Sequence, residues 1–364
     1  TPANKLFVGE NMAGINKKKV IKSAVILTAL LAVVVILSGC AEKGPETAEK
    51  TSQAVKFYTI TTATPGGTYY PVGVGLATLW TEKLKDKGIR ISAQSSAGSV
   101  ENINILRNKE AEFAILQGLI GSMAWKGEGP FKGKPYKELR AISALWPNVE
   151  HFVLVKDKVK TGTVTDIVGT RFCVGRAGSG TERSTLTIME ALGISIDDIQ
   201  PEYLGYSDAA KAIKDGTIDG GSFCAGPPVA AVSDLFATPN VDVVVLEFTD
   251  EQLQKVKENS LYPAFRYVIP PNTYMGQDKP IKTIAQPNFL AVRADVDEEV
   301  VYLLTKTMFE NLDYLKKVHK ACNYIKLENA LSGLPVPLHP GAVKYFREKG
   351  IEIPEELIPP EMKK

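Results

Sequence analysis

Hydrophobic positions change period along the chain in a regular way. Residues 55–62, 89–94 and 112–117 are short runs that are wholly apolar or alternate between apolar and polar. Between them, over 69–86 and 99–108, apolar residues recur every three to four positions. The first kind reads as strand and the second as amphipathic helix. A return segment near 139–145 closes this half. The second half repeats the alternation, with strands over 151–156, 171–175, 201–204, 217–224 and 241–247 and helices over 181–192, 207–214 and 228–236. Residues 281–293 (IKTIAQPNFLAVR) form a further β-rich segment that returns toward the first half. The stretch 300–346 is largely helical, with breaks at Pro335, Pro337 and Pro340.

Strands that alternate with helices predict parallel sheets with helices on their faces. The expected fold class is α/β, with two lobes, two parallel or mixed sheets and a ligand cleft between the lobes. Lobe 1 takes residues 55–146 and 281–364, including the C-terminal helices, and lobe 2 takes 147–280. Segments 99–118 and 207–226 echo each other: each runs from a serine N-cap through a helix, an acidic turn and an apolar strand to a closing glycine.

Ahead of residue 55 the pattern is different. Lys17, Lys18 and Lys19 precede an apolar run over 24–37, followed by Leu37-Ser38-Gly39-Cys40. That run is shorter than the ~20 residues a membrane-spanning helix needs. Residues 1–39 therefore read as a signal peptide. Leu-Ser-Gly-Cys resembles the bacterial lipobox, which implies lipid on Cys40 and an extracytoplasmic protein anchored to the cell membrane. Met12 stands just before the lysines and is a candidate start, which would leave residues 1–11 untranslated. Residues 40–54 are small, charged and without period, as expected of a tether.

Composition narrows the class. Hydrophobic residues make up 44% and charged residues 23%, ordinary globular values that exclude a disordered or polytopic chain. The net charge is +2, but residues 1–39 carry five lysines and one glutamate, so the remainder is about −2. No basic stripe points to nucleic acid. Besides Cys40 there are Cys173, Cys224 and Cys322, an odd number that cannot all pair. Buried free thiols are the first expectation and one disulfide the second. The chain contains no CxxC pair, and neither a metal nor a cofactor is expected.

The candidate chemistry sits where strands end, since ligands of open α/β sheets bind beyond the carboxyl ends of the strands. Two glycine-rich corners, Pro65-Gly66-Gly67-Thr68-Tyr69-Tyr70 and Gly175-Arg176-Ala177-Gly178-Ser179-Gly180-Thr181-Glu182, each lie between a strand and a helix. Backbone N–H groups and the helix dipole make such a corner a holder of anions. From the first half the ligand-binding set is Gly67, Thr68, Tyr69, Tyr70, Ser96, Ser99, Asn102 and Gln117. From the second half it is Arg176, Gly178, Ser179, Gly180, Thr181, Glu182, Tyr206, Gly226 and Pro227. Tyr69 and Tyr70 diverge by about 100° on a helix, so only one readily faces the cleft. Asn102 reads either as a contact or as a solvent-facing residue. Arg176 reads as a counter-ion or a surface charge, and Glu182 as a contact or a complement to the helix dipole. His151, His319 and His339 stand at no triad spacing from Ser179, so that serine reads as an anion holder and the chain as no enzyme.

The motifs TPGGTYYPVG (64–73), SSAGSVENI (95–103), AEFAILQ (111–117), VGRAGSGTE (174–182) and KDGTIDG (214–220) follow one another over residues 55–320. In that order they resemble the TAXI group of solute-binding proteins, which serve TRAP transporters. The resemblance implies the two-lobe, type II periplasmic-binding-protein fold. It also implies capture of a small carboxylate, glutamate-like or a dicarboxylate, at the matched corners, and its delivery to a TRAP membrane permease. Arg176 departs from the small residue or proline more usual there, and so leaves the ligand open. The alternative reading is a substrate-binding protein of an ATP-driven importer for another small anion.

Overall fold

A computed structural model describes residues 54–363, all within one compact unit, Gln53–Lys364. The expectations for the signal peptide, Cys40 and most of the tether lie outside the described residues. The elements follow in the order β1 Lys56–Thr61, α1 Tyr69–Leu84, β2 Ile89–Gln94, α2 Ser99–Arg107, β3 Phe113–Gln117, α3 Gly118–Lys126 and β4 Leu139–Val155. Next come β5 Arg171–Cys173, α4 Gly180–Ala191, β6 Gln200–Glu202, α5 Tyr206–Lys214, β7 Gly220–Ala225, α6 Ala230–Ala237 and β8 Val243–Leu246. The remainder is α7 Asp250–Asn259, β9 Phe265–Ile269, β10 Ile281–Arg293, α8 Glu298–Phe309, α9 Leu312–Val318 and α10 Pro340–Glu348.

The strands form a mixed sheet of order β2-β1-β3-β10-β4-β7-β5-β6, with β8 on β4 and β9 on β10. β1 pairs in parallel with β2 and β3 at one end, and β5 pairs in parallel with β6 and β7 at the other. β4 and β10 run antiparallel between them. The two expected sheets are thus the two wings of one continuous ladder. The separate strands expected at 139–145 and 151–156 are a single 17-residue strand. Its first half pairs with β10 and its second half with β7 and β8. Trp146-Pro147-Asn148 lies in the gap between those two expected strands, and proline cannot donate to a ladder. Here Pro147 stands opposite Pro287, at the point where both long strands pass from one wing to the other, and β10 shifts register just beyond it. The expected lobe boundary at 146/147 falls inside β4. Two helices and a strand, α3, α7 and β9, had not been anticipated.

The sheet's alternation feeds two apolar clusters. The larger runs from Ile60, Trp80 and Phe113 to Phe289, Leu304 and Phe346, and includes Phe152 and Leu154 of β4. The smaller takes the alternate β4 residues Val149 and Val153 with Phe223, Val232 and Ile269. α1 docks on α8 through the Trp80 indole N–H, which donates to the Leu304 carbonyl at 3.0 Å. The C-terminal segment is tied back by Arg140, whose guanidinium reaches both Glu361 oxygens, at 3.0 and 2.7 Å. Cys173, Cys224 and Cys322 are buried free thiols. Among the described residues no helix is long and apolar enough to cross a membrane.

Candidate functional site

All six parallel strands deliver residues to one cavity. Ala63 and Thr64 follow β1, Ala97 follows β2, and Gln117 ends β3. Arg176 follows β5, Gly205 follows β6, and Cys224 and Ala225 end β7. Four helices begin at its wall: α1 after Thr68, α2 after Gly98, α4 after Ser179 and α5 after Gly205. Each start leaves first-turn N–H groups that the helix itself cannot satisfy, and each adds a positive dipole end.

The wings touch directly around this cavity. The Thr68 hydroxyl donates to the Gly226 carbonyl at 2.7 Å, and the Glu101 N–H donates to the Gly178 carbonyl at 3.0 Å. The Ala231 N–H donates to the Gly66 carbonyl at 3.0 Å. Gly66 has φ +91°, and a β-carbon there would stand 2.7 Å from the Ser207 hydroxyl, so only glycine fits.

Ten of the expected residues line the cavity: Gly67, Thr68, Tyr69, Ser99, Gln117, Arg176, Ser179, Gly180, Thr181 and Tyr206. The other seven stand off the lining. Tyr70 is 37% exposed, so Tyr69 is the tyrosine of α1 that faces inward. Asn102 is fully buried rather than solvent-facing. Its Oδ1 accepts from Thr61 and Ser96 (2.8 and 2.7 Å), and its Nδ2 donates to the Thr62 and Ile115 carbonyls (2.7 and 3.1 Å). That leaves Asn102 no capacity for a ligand. Ser96 belongs to the same knot and also accepts the Gly98 N–H at 3.0 Å. Glu182 and Gly178 complete a cap: the Glu182 N–H donates to Ser179 Oγ at 2.9 Å, and the Glu182 carboxylate accepts from the Gly178 N–H at 2.7 Å. Gly226 contributes its carbonyl to Thr68, and Pro227 lies in a neighbouring groove. The expected serine N-caps are not formed either. Gly98 and Gly205 occupy those positions, Ser99 Oγ accepts the Gln117 N–H at 3.1 Å, and Ser207 turns to the Pro65 carbonyl.

Sequence reading passed over Ala63, Thr64, Ala97, Gly205, Cys224 and Ala225. They carry little side-chain chemistry, and their only signal was their place at strand ends.

The remaining polar groups are largely committed. The Tyr206 hydroxyl donates to the Cys224 carbonyl at 2.8 Å and receives Thr181 Oγ1 at 2.6 Å. The Tyr69 hydroxyl donates to Asn288 Oδ1 on β10. Burial pushes both tyrosine hydroxyls and the Cys224 thiol well above their usual ranges, so all three stay protonated. Gln117 is 2% exposed and its Oε1 has no partner among the described residues. Arg176 is the one charged residue of the lining, which contains no histidine and no carboxylate. The arrangement is suited to holding a small anion. It offers no base or activated nucleophile beside Ser179.

A sequence model of the NMT1-like family matches residues 60–350. Among solved structures, the chain is similar to the periplasmic aliphatic sulphonate binding protein of Escherichia coli (14% identity, 81% of this chain and 84% of that one, TM-score 0.39). It is also similar to the alkanesulfonate-binding protein of Xanthomonas axonopodis pv. citri (13%, 81% and 91%, TM-score 0.45). A third is a TRAP periplasmic solute binding protein of Sulfitobacter sp. NAS-14.1 (13%, 82% and 88%, TM-score 0.43). The family match takes in every residue of the cavity lining, and the chain belongs to the NMT1-like family.

Proposed function

We propose that this protein is an extracytoplasmic solute-binding lipoprotein that captures a small carboxylate between its two wings and delivers it to a TRAP-type permease. The observation that carries the reading is the convergence of four helix starts and Arg176 on a lining without acidic residues. Such a cavity favours negative charge from every side. Charge-assisted hydrogen bonds contribute about 1.5–3 kcal/mol each. Four or five of them sum to about 6–15 kcal/mol, a range that spans the roughly 8 kcal/mol of micromolar binding, and only its upper part also covers the ordering costs. The ordered TAXI-like motifs support the permease as partner, and the Leu-Ser-Gly-Cys motif supports an anchor through Cys40.

Both wings contribute contacts, so a bound anion stabilises the closed arrangement over an open one. The permease, on this reading, recognises the closed pair of surfaces.

Titration calorimetry of the mature protein with propionate, succinate and glutarate tests the reading, alongside small-angle scattering with and without each acid. The expected result is saturable binding with a reduced radius of gyration and no product formed. Absence of saturable binding to any small acid, or turnover of one, overturns it. A gene for a multi-span permease beside this one supports TRAP, whereas a neighbouring ATPase gene would assign the chain to an ATP-driven importer.

A further inference from the structure

We propose that the amino-terminal edge of the first wing is a membrane-contact face, which lies on an anionic bilayer surface and turns the ligand cleft away from it. The inference rests on the Cys40 anchor proposed above and adds to it: lipid supplies the attachment, and this face supplies the orientation.

An exposed aromatic is the first observation. Phe57, near the start of β1, is 78% exposed, more than any other large hydrophobic side chain among the described residues. Val55, two positions earlier, is 49% exposed. Scattered exposed apolar residues need no partner. This pair, however, stands among cations. Lys56 lies between the two, and Arg90 is the register partner of Phe57 on β2, so Arg90 and Phe57 project from the same side of the sheet. The Lys56 N–H donates to the Gly88 carbonyl at 2.7 Å, which brings the exposed Lys85 and Lys87 of the turn after α1 to the same edge.

Charge balance is the second. Glu82 and Asp86 are the acids beside that turn, and Glu82 is paired with Lys85 at 4.0 Å. Toward β3 the acids are engaged: Asp295 by Lys109 and Arg293, Glu112 by Arg293 and the Thr59 N–H, and Glu110 by the Asn108 amide. The edge is therefore basic around an apolar centre. That combination fits a headgroup layer, where lysines meet lipid phosphates and the ring enters the acyl boundary. A soluble polyanion would use the charge and leave the ring in water.

Attachment of the chain is the third. Residues 41–54 separate Cys40 from Val55. As a flexible coil they span roughly 20 Å, which holds this edge at high effective concentration beside the bilayer. The cleft lies at the other end of the same strands. β1 runs from Lys56 to Thr61, roughly 17 Å, before the chain reaches Ala63 and Thr64 on the cavity wall. A bilayer under Phe57 thus leaves the cleft open to solute on the far side.

The test places the mature lipidated protein on vesicles of phosphatidylcholine, alone or with about one-third phosphatidylglycerol. Val55→Cys carries a fluorophore, the thiols of Cys173, Cys224 and Cys322 being buried. Met275→Cys, 68% exposed on the second wing, is the control position. Lipids with a quencher on the acyl chain should dim the label at 55 roughly twofold or more on anionic vesicles, and high salt should abolish the effect. Neutral vesicles should dim it far less, and the label at 275 should stay bright. Phe57→Ser, and separately Lys85→Glu combined with Lys87→Glu, should each remove the quenching while leaving acid binding and the unfolding midpoint unchanged. Quenching at 55 that is equal on both vesicles and survives these variants overturns the face, since proximity through the tether then accounts for it. Fatty-acid labelling of Cys40 is read in the same preparation. Labelled protein without quenching at 55 overturns the face and leaves the anchor standing, whereas unlabelled protein overturns both.

Discussion

Gly180 and Gln117 meet across the cleft so closely that a β-carbon on Gly180 would stand 2.6 Å from the Gln117 amide carbon. One residue opens α4 and the other ends β3, so the pair joins the two wings at the cavity wall. Gly180 has no positive φ, so alanine suits its backbone and the helix it begins. Gly180→Ala should therefore leave the unfolding midpoint unchanged or slightly raised while holding the wings apart. The expected result is at least a tenfold loss of affinity for a bound acid, about 1.4 kcal/mol, and no ligand-induced fall in the radius of gyration. Wild-type affinity in this variant would mean that the start of α4 shifts freely.

Asn102 stabilises the first wing rather than touching a ligand. Its side chain holds four bonds, from the Thr61 and Ser96 hydroxyls and to the carbonyls of Thr62 and Ile115. Asn102→Leu keeps the volume and removes all four bonds from the interior, leaving the Ser96 hydroxyl only the Thr62 carbonyl at 3.1 Å. A loss of about 2–4 kcal/mol in denaturant unfolding is expected without ligand. A loss under 1 kcal/mol would show that water replaces the side chain at little cost.

Glu150 gives stability an unusual pH dependence. It is fully buried on β4, and its second oxygen has no partner among the described residues. Burial raises its pKa above the ordinary value of 4.5. The folded state therefore binds the proton more tightly than the unfolded state. The associated stability is complete below 4.5 and is lost as pH rises through the higher folded value. Glu150→Gln keeps the site neutral throughout. Its unfolding midpoint should exceed wild type at about pH 8, with the gap closing toward about pH 4. A gap that is constant with pH would show that Glu150 does not titrate in this range.

Anchorage has a separate test. If Cys40 carries lipid, Cys40→Ala should abolish labelling by a radioactive fatty acid and leave the precursor uncleaved after Gly39. Persistent labelling of the variant would refute the lipoprotein reading. More than one acyl chain is expected on Cys40, since a single chain binds membranes only marginally.

What the sequence determined by itself is local. The switch of hydrophobic period marked β1, β2 and β3 and the helices α1, α2, α4 and α5, because side-chain direction repeats within a few residues of chain. Both glycine corners were legible for the same reason: a turn between strand and helix is written in adjacent residues. Ten of the seventeen expected contacts lie on the cavity wall because strand ends converge in this class of fold. Only the tertiary structure decided that β4 continues through Pro147 and joins the two wings, since its partner Pro287 lies 140 positions away along the chain. Contacts between residues far apart in the chain, 41 and 40 positions for Asn102 and 158 for Thr68, also turned Asn102 into a buried knot and committed Thr68 to the opposite wing. They left Gln117 Oε1 unpartnered as well. Which hydrogen bonds a polar side chain has already spent depends on neighbours that no local pattern names, and that accounting separates the lining from the wall behind it.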